Sequence, residues 1–85
     1  MSVILSQQAA KYLERMNEPV KSRIKTALRK LGNEPPQGDI KTMVGQDGYR
    51  LRVGGYRILF GTKDDIIVVT DIAPRGQVYK RRTRG

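Results

Sequence analysis

Residues Tyr49-Arg50-Leu51-Arg52-Val53 and Tyr56-Arg57-Ile58-Leu59-Phe60 form two runs rich in β-branched, aliphatic and aromatic side chains, joined by Gly54-Gly55. A Gly-Gly joint tolerates the positive φ of a two-residue hairpin turn, so the two runs are expected to fold back on each other as paired strands. That turn sets Val53 opposite Tyr56, Arg52 opposite Arg57, Leu51 opposite Ile58 and Arg50 opposite Leu59. Opposed residues share a face and successive side chains alternate, so Arg50, Arg52 and Arg57 emerge together on one side. Like charges placed opposite each other destabilise a sheet, and three guanidiniums in a triangle cost stability unless an anion sits between them. Phosphate oxygens fit such a fork bidentately. The plainer reading is a solvated outer face of a half-exposed sheet, each arginine reaching into water or toward a stray carboxylate.

Downstream, Arg75 and Tyr79 precede a basic tail, Lys80-Arg81-Arg82-Thr83-Arg84-Gly85. Basic side chains beside an aromatic that can stack or donate a phenolic proton suit single-stranded RNA, with Lys80, Arg81, Arg82 and Arg84 as RNA-binding residues. Taken singly, Arg75 reads as one half of an edge salt bridge and Tyr79 as a packed ring. The composition narrows the chemistry further. The 85 residues include no Cys and no His, which excludes disulfide scaffolds, zinc fingers, thiol nucleophiles and imidazole relays. Seventeen Lys and Arg against eight Asp and Glu give a formal net charge of +9, which points to a polyanionic partner.

The elements that must hold this hairpin follow from periodicity. Val3, Ile4 and Leu5 make a short apolar run that reads as a strand, ended by Ser6, which can cap a helix with Ala9, Ala10, Leu13 and Met16 at helical spacing. Asn17-Glu18-Pro19 stops that helix and starts another, with Asn17 as its cap and Val20, Ile24, Ala27, Leu28 and Leu31 as its apolar stripe. The short connection predicts an antiparallel helix pair. Residues 32–38 are dense in Gly, Asn and Pro and form a loop. From there the pattern changes to strands at 40–44, 49–53, 56–60 and 66–72, an antiparallel meander. The fold class is therefore α+β: an N-terminal strand, an antiparallel helix pair, then an antiparallel β-meander. A single domain over residues 1–79 with a basic tail at 80–85 is expected, with a thin core, since a chain this short buries only about 60% of its unfolded surface.

The order of elements, together with Arg50-Leu51-Arg52-Val53-Gly54-Gly55-Tyr56-Arg57 and the later Arg75 to Tyr79 ending, resembles the bacterial and archaeal toxin superfamily that includes the RelE messenger-RNA endonucleases and the ParE gyrase inhibitors. The resemblance covers the chain from its first strand to Tyr79. It implies a toxin of a type II toxin-antitoxin system, a ribosome-dependent, metal-independent endoribonuclease of RelE-like fold that cuts messenger RNA in the A site and needs no cofactor. In that reaction the ribose 2′-OH attacks the adjacent phosphate, a base takes its proton, cations stabilise the phosphorane and an acid protonates the leaving oxygen. By position, Arg50 and Arg52 match basic residues of the RelE-type site, Arg57 the phosphate-clamping arginine, Arg75 the basic residue of the last motif and Tyr79 the C-terminal tyrosine. Arginine gives up no proton near neutral pH, so the base is expected to be Tyr79, its phenol acidified by neighbouring cations. The general acid is left unassigned, with Arg75, Lys80 and Arg81 as the nearest candidates.

The resemblance leaves a ParE-like inhibitor of DNA gyrase as the alternative, and composition alone allows a nucleic-acid-binding module without catalysis. A toxin implies a neutralising antitoxin, RelB-like in this family, in a hetero-oligomeric complex, besides the ribosome and messenger as targets. The basic helix residues Lys11, Arg15, Lys21, Arg23, Lys25, Arg29 and Lys30 suit an acidic segment or ribosomal RNA, and singly they read as ordinary solvated faces. The N-terminus has no signal-peptide pattern and no run long enough to span a bilayer, so a cytoplasmic protein without a membrane partner is expected.

Overall fold

The computed structural model describes residues 1–43, 45 and 47–75. The elements run β1 (Ser2–Leu5), α1 (Gln7–Arg15), α2 (Val20–Leu31), β2 (Asp39–Thr42), β3 (Tyr49–Val53), β4 (Tyr56–Lys63) and β5 (Ile66–Pro74). They build one five-stranded sheet in the order β1-β5-β4-β3-β2, with both helices contributing to the core on one face. Strands β2 to β5 are the expected antiparallel meander, while β1 returns to pair with β5 in parallel. The helices carry the chain from β1 at one edge of the sheet to β2 at the other, and the meander then returns to set β5 beside β1.

Ser6 caps α1 as its position suggests: its hydroxyl accepts from the Ala9 N–H at 3.1 Å and donates to the Thr70 carbonyl at 2.9 Å, tying the helix start to β5. The start of α2 differs from the sequence expectation. Asn17 does not supply a side-chain cap; the helix begins at Val20, with Pro19 at the boundary and no capping side-chain bond from it. The longer arm of Glu18 does the work instead, accepting from the Ser22 N–H at 3.0 Å and the Ser22 hydroxyl at 2.6 Å. Asn17 offers only its backbone carbonyl, to the Lys21 N–H. At the other end of α2, Gly32 follows the last turn, and a Cβ there would stand 2.9 Å from the Met1 carbonyl oxygen.

The core lies between the helices and the sheet. Ala9 and Leu13 of α1 and Ile24, Leu28 and Leu31 of α2 meet Leu51, Ile58, Phe60, Ile67, Val69 and Ile72. A strict period of two along β5 would turn Asp71 inward after Ile67 and Val69. A bulge at Thr70 prevents this: the register shifts between Leu59 and Phe60, so Leu59 opposes Asp71 and Phe60 opposes Val69. One extra residue reverses the phase of the strand and turns Ile72 into the core. Both long strands also outrun their expected ends, β4 to Lys63 and β5 to Pro74. Gly61 had broken the apolar pattern, yet it sits in the ladder opposite Val68. The second strand ends at Thr42, and Val44, expected in it, lies outside the described residues.

Candidate nucleic-acid interface

The hairpin register is the one that Gly54-Gly55 dictates: Arg50 opposes Leu59, Leu51 opposes Ile58, Arg52 opposes Arg57 and Val53 opposes Tyr56. Gly54 adopts φ 58°, the left-handed conformation that the turn requires. Leu51 and Ile58 therefore face the helices, and Arg50, Arg52 and Arg57 share the opposite face. Register also brings a residue that sequence reasoning did not place there. Lys41 of β2 stands opposite Arg50, and Asp39 opposite Arg52. The segment between β2 and β3 has no tight-turn signature, so nothing in the sequence fixed which β2 residue would meet which arginine.

The arginines are not extended into solvent, contrary to the plainer expectation. Arg50 is only 9% exposed and Arg57 7%. Leu59 and Ala73, with Met43 packed against them, form a small apolar cluster on this face, Leu59 opposite Arg50 and Ala73 opposite Arg57. Arginine stems lie along such apolar surface while their guanidiniums gather. Arg50 Nη1 and Arg52 Nε are buried without a hydrogen-bond partner among the described residues. A buried charged donor left unpaired is expensive, and in this poorly hydrated setting it interacts strongly with any anion that reaches it.

Arg75 belongs to the same end of the molecule. Its N–H donates to the Gly55 carbonyl at 2.8 Å, which anchors the end of β5 to the hairpin turn, and its side chain is exposed. Tyr79, Lys80, Arg81, Arg82 and Arg84 lie outside the described residues. Arg52 also borders a groove of about 440 Å³ under α2, at the end of β3, where Arg23 and Lys30 line it with Ala27, Leu51 and Val53. The helical arginine and lysine were legible in the sequence; the groove that unites them with Arg52 was not. Among the described residues no group of three or more carboxylates is gathered as a metal site. No helix among them is long and apolar enough to cross a membrane.

A cationic sheet face backed by a helix pair is what this small α+β chain presents. The chain belongs to the ParE toxin family of type II toxin-antitoxin systems, whose model matches residues 3–79. No curated sequence matches it significantly. Among solved structures, the chain is similar to the RelB-RelE antitoxin-toxin complex of Methanococcus jannaschii, at 24% identity with a TM-score of 0.76, covering 92% of this chain and 96% of that one. It is also similar to the archaeal RelE-RelB complex of Pyrococcus horikoshii, at 27% identity and a TM-score of 0.72 over 89% and 96% of the two chains. The isolated Escherichia coli RelE toxin shares the fold at 19% identity and a TM-score of 0.73, over 98% and 95%. The protein is thus a type II toxin-antitoxin toxin of the RelE/ParE superfamily with a RelE-like α+β fold.

Proposed function

We propose that the toxin is a ribosome-dependent messenger-RNA endonuclease working by attack of the ribose 2′-OH on the adjacent phosphate. The observation that supports this reading is the gathering of Arg50, Arg52 and Arg57 on one face, with guanidinium donors of Arg50 and Arg52 buried and without a hydrogen-bond partner among the described residues. Donors held in place before the reaction stabilise a phosphorane without reorganising, and removing one such group costs about 10² to 10³ in rate. Lys41, opposite Arg50, adds a fourth cation. Tyr79 remains the proposed base and Lys80, the one candidate able to give up a proton, the proposed acid, with Arg75 and Arg81 as cations that stabilise the leaving oxygen. A shallow sheet face has no means to hold a flexible strand in line for attack, so orientation falls to the ribosome, where it is worth on the order of 7 to 11 kcal/mol. The partner that restrains the toxin is a RelB-like antitoxin, a proposal supported by the antitoxin-bound state of the similar RelE structures.

The test is a translation reaction with the purified protein and primer extension on the message. Cuts confined to messages under translation, with far slower cutting of naked RNA, are expected. Equal cutting of free and ribosome-bound message would overturn ribosome dependence. The match to the ParE family model supports a second reading, inhibition of DNA gyrase. Loss of gyrase supercoiling activity with intact messages would select it.

A further inference from the structure

At the corner where α1 ends and α2 begins, beside the start of β4, lies a second cavity of about 440 Å³ whose chemistry differs from that of the arginine face. Its walls include Tyr12 and Tyr56, both half-buried, with Met16 and Val20 behind them. One cation, Arg15, and one carboxylate, Glu18, border it, so the cavity carries no net charge. Glu18 is kept anionic, its carboxyl held below the ordinary range chiefly by the Ser22 hydroxyl. A fixed carboxylate at the rim repels phosphate. Two phenol rings over an apolar floor, with Asn17, Arg15 and Glu18 as donors and acceptors, suit a flat, neutral, hydrogen-bonding ring.

The cavity adjoins the cationic face through a single residue step. Tyr56 precedes Arg57, and alternation along β4 sends the ring to the helix side and the guanidinium to the open side. Between the two faces runs the turn Gly54-Gly55, where a Cβ at either position would meet nothing within 4 Å. Among the described residues the rim between the arginine face and the tyrosine cavity is therefore low at this turn.

We infer that the α1–α2 corner is a nucleobase subsite, in which an RNA strand held by Arg52 and Arg57 crosses the Gly54-Gly55 turn and places the base of a neighbouring nucleotide against Tyr56 and Tyr12. The inference rests on the proposed RNA-binding role of the arginine face. It assigns this corner a part in substrate selection that the arginines, which meet only phosphate, cannot play.

The experiment measures binding of the full chain to a labelled single-stranded RNA pentamer and to the same pentamer with abasic sites, by fluorescence anisotropy without ribosomes. Native protein is expected to prefer the base-bearing strand. Tyr56→Leu should weaken its binding about 5- to 150-fold and leave the abasic strand unaffected, while Tyr56→Phe, which keeps the ring, should bind as the native chain does. Tyr12→Leu serves as the second probe; both rings pack against the core, so each leucine variant must first melt as the native chain does. Equal affinity of the native chain for the two strands overturns the inference, as does native-like binding by both leucine variants. If Arg57→Ala then weakens both strands, the RNA reading stands and only the subsite falls; if Arg57→Ala also binds as native, the RNA reading itself falls.

Discussion

The two faces of the β3–β4 hairpin are buried to nearly the same degree and filled with opposite chemistry. Leu51 and Ile58, 1% and 0% exposed, pack under α1 and α2, whereas Arg50 and Arg57, 9% and 7% exposed, lie over Leu59 and Ala73 on the other side. On the helix side every contact adds transfer free energy, about 25 cal/mol per Å² of apolar surface. On the arginine side, burial brings like charges together and leaves donors of Arg50 and Arg52 without a hydrogen-bond partner among the described residues. A small domain has few kcal/mol of net stability to set against such a cost. The sheet thus separates an apolar core from a cationic face by side-chain parity, and on the proposed function the two faces answer to different demands.

This comparison can be broken most forcefully from the helix side. Ile58→Ala should destabilise the fold by about 2 to 5 kcal/mol, enough to leave a small domain largely unfolded, as a thermal melt would register. Retention of the native melting temperature would mean that the helix-side core is not what holds the sheet. Its neighbour should behave in the opposite sense. Arg57→Ala should lower messenger cleavage by about 10² to 10³ and leave the cooperative melt in place, so the two adjacent substitutions separate fold from activity. Full activity in a folded Arg57→Ala protein would remove that residue from the site.

A smaller effect sharpens the cost of the charge pairing. Arg52 has a like charge opposite it in Arg57 and an opposite charge in Asp39, so Arg52→Thr should shift stability by less than about 1 kcal/mol while weakening RNA binding. A larger drop in melting temperature would show that the arginines support the sheet. The least effect is expected at the start of α2. Glu18, with its carboxyl lowered from 4.5 by the Ser22 hydroxyl, contributes stability that is fully present above that value and is lost as pH falls through the lowered native one. The difference in melting temperature between the native chain and Glu18→Gln should accordingly close on acidification; a gap that persists at low pH would contradict a charged cap.

The periodicities of α1, α2 and the central strands were legible because each obeys a local rule: Ser6 as an N-cap, apolar residues at helical spacing, and the positive φ that Gly54 adopts in the turn. The convergence of Arg50, Arg52 and Arg57 followed from that same turn, since two residues of hairpin determine every cross-strand neighbour up to the next irregularity. Other features depended on parts of the chain distant in sequence. The parallel return of β1 to β5, the bulge that exchanges Asp71 for Ile72, and the placement of Lys41 opposite Arg50 each need a partner strand that no local pattern names. Glu18 rather than Asn17 caps α2 because the helix begins only at Val20, beyond Pro19. The burial of the arginines over Leu59 and Ala73, and the tyrosine cavity at the helix corner, arise only when the sheet and helices are packed together. Local sequence determines which way a side chain points; only tertiary packing decides what it meets there and how much water is left around it.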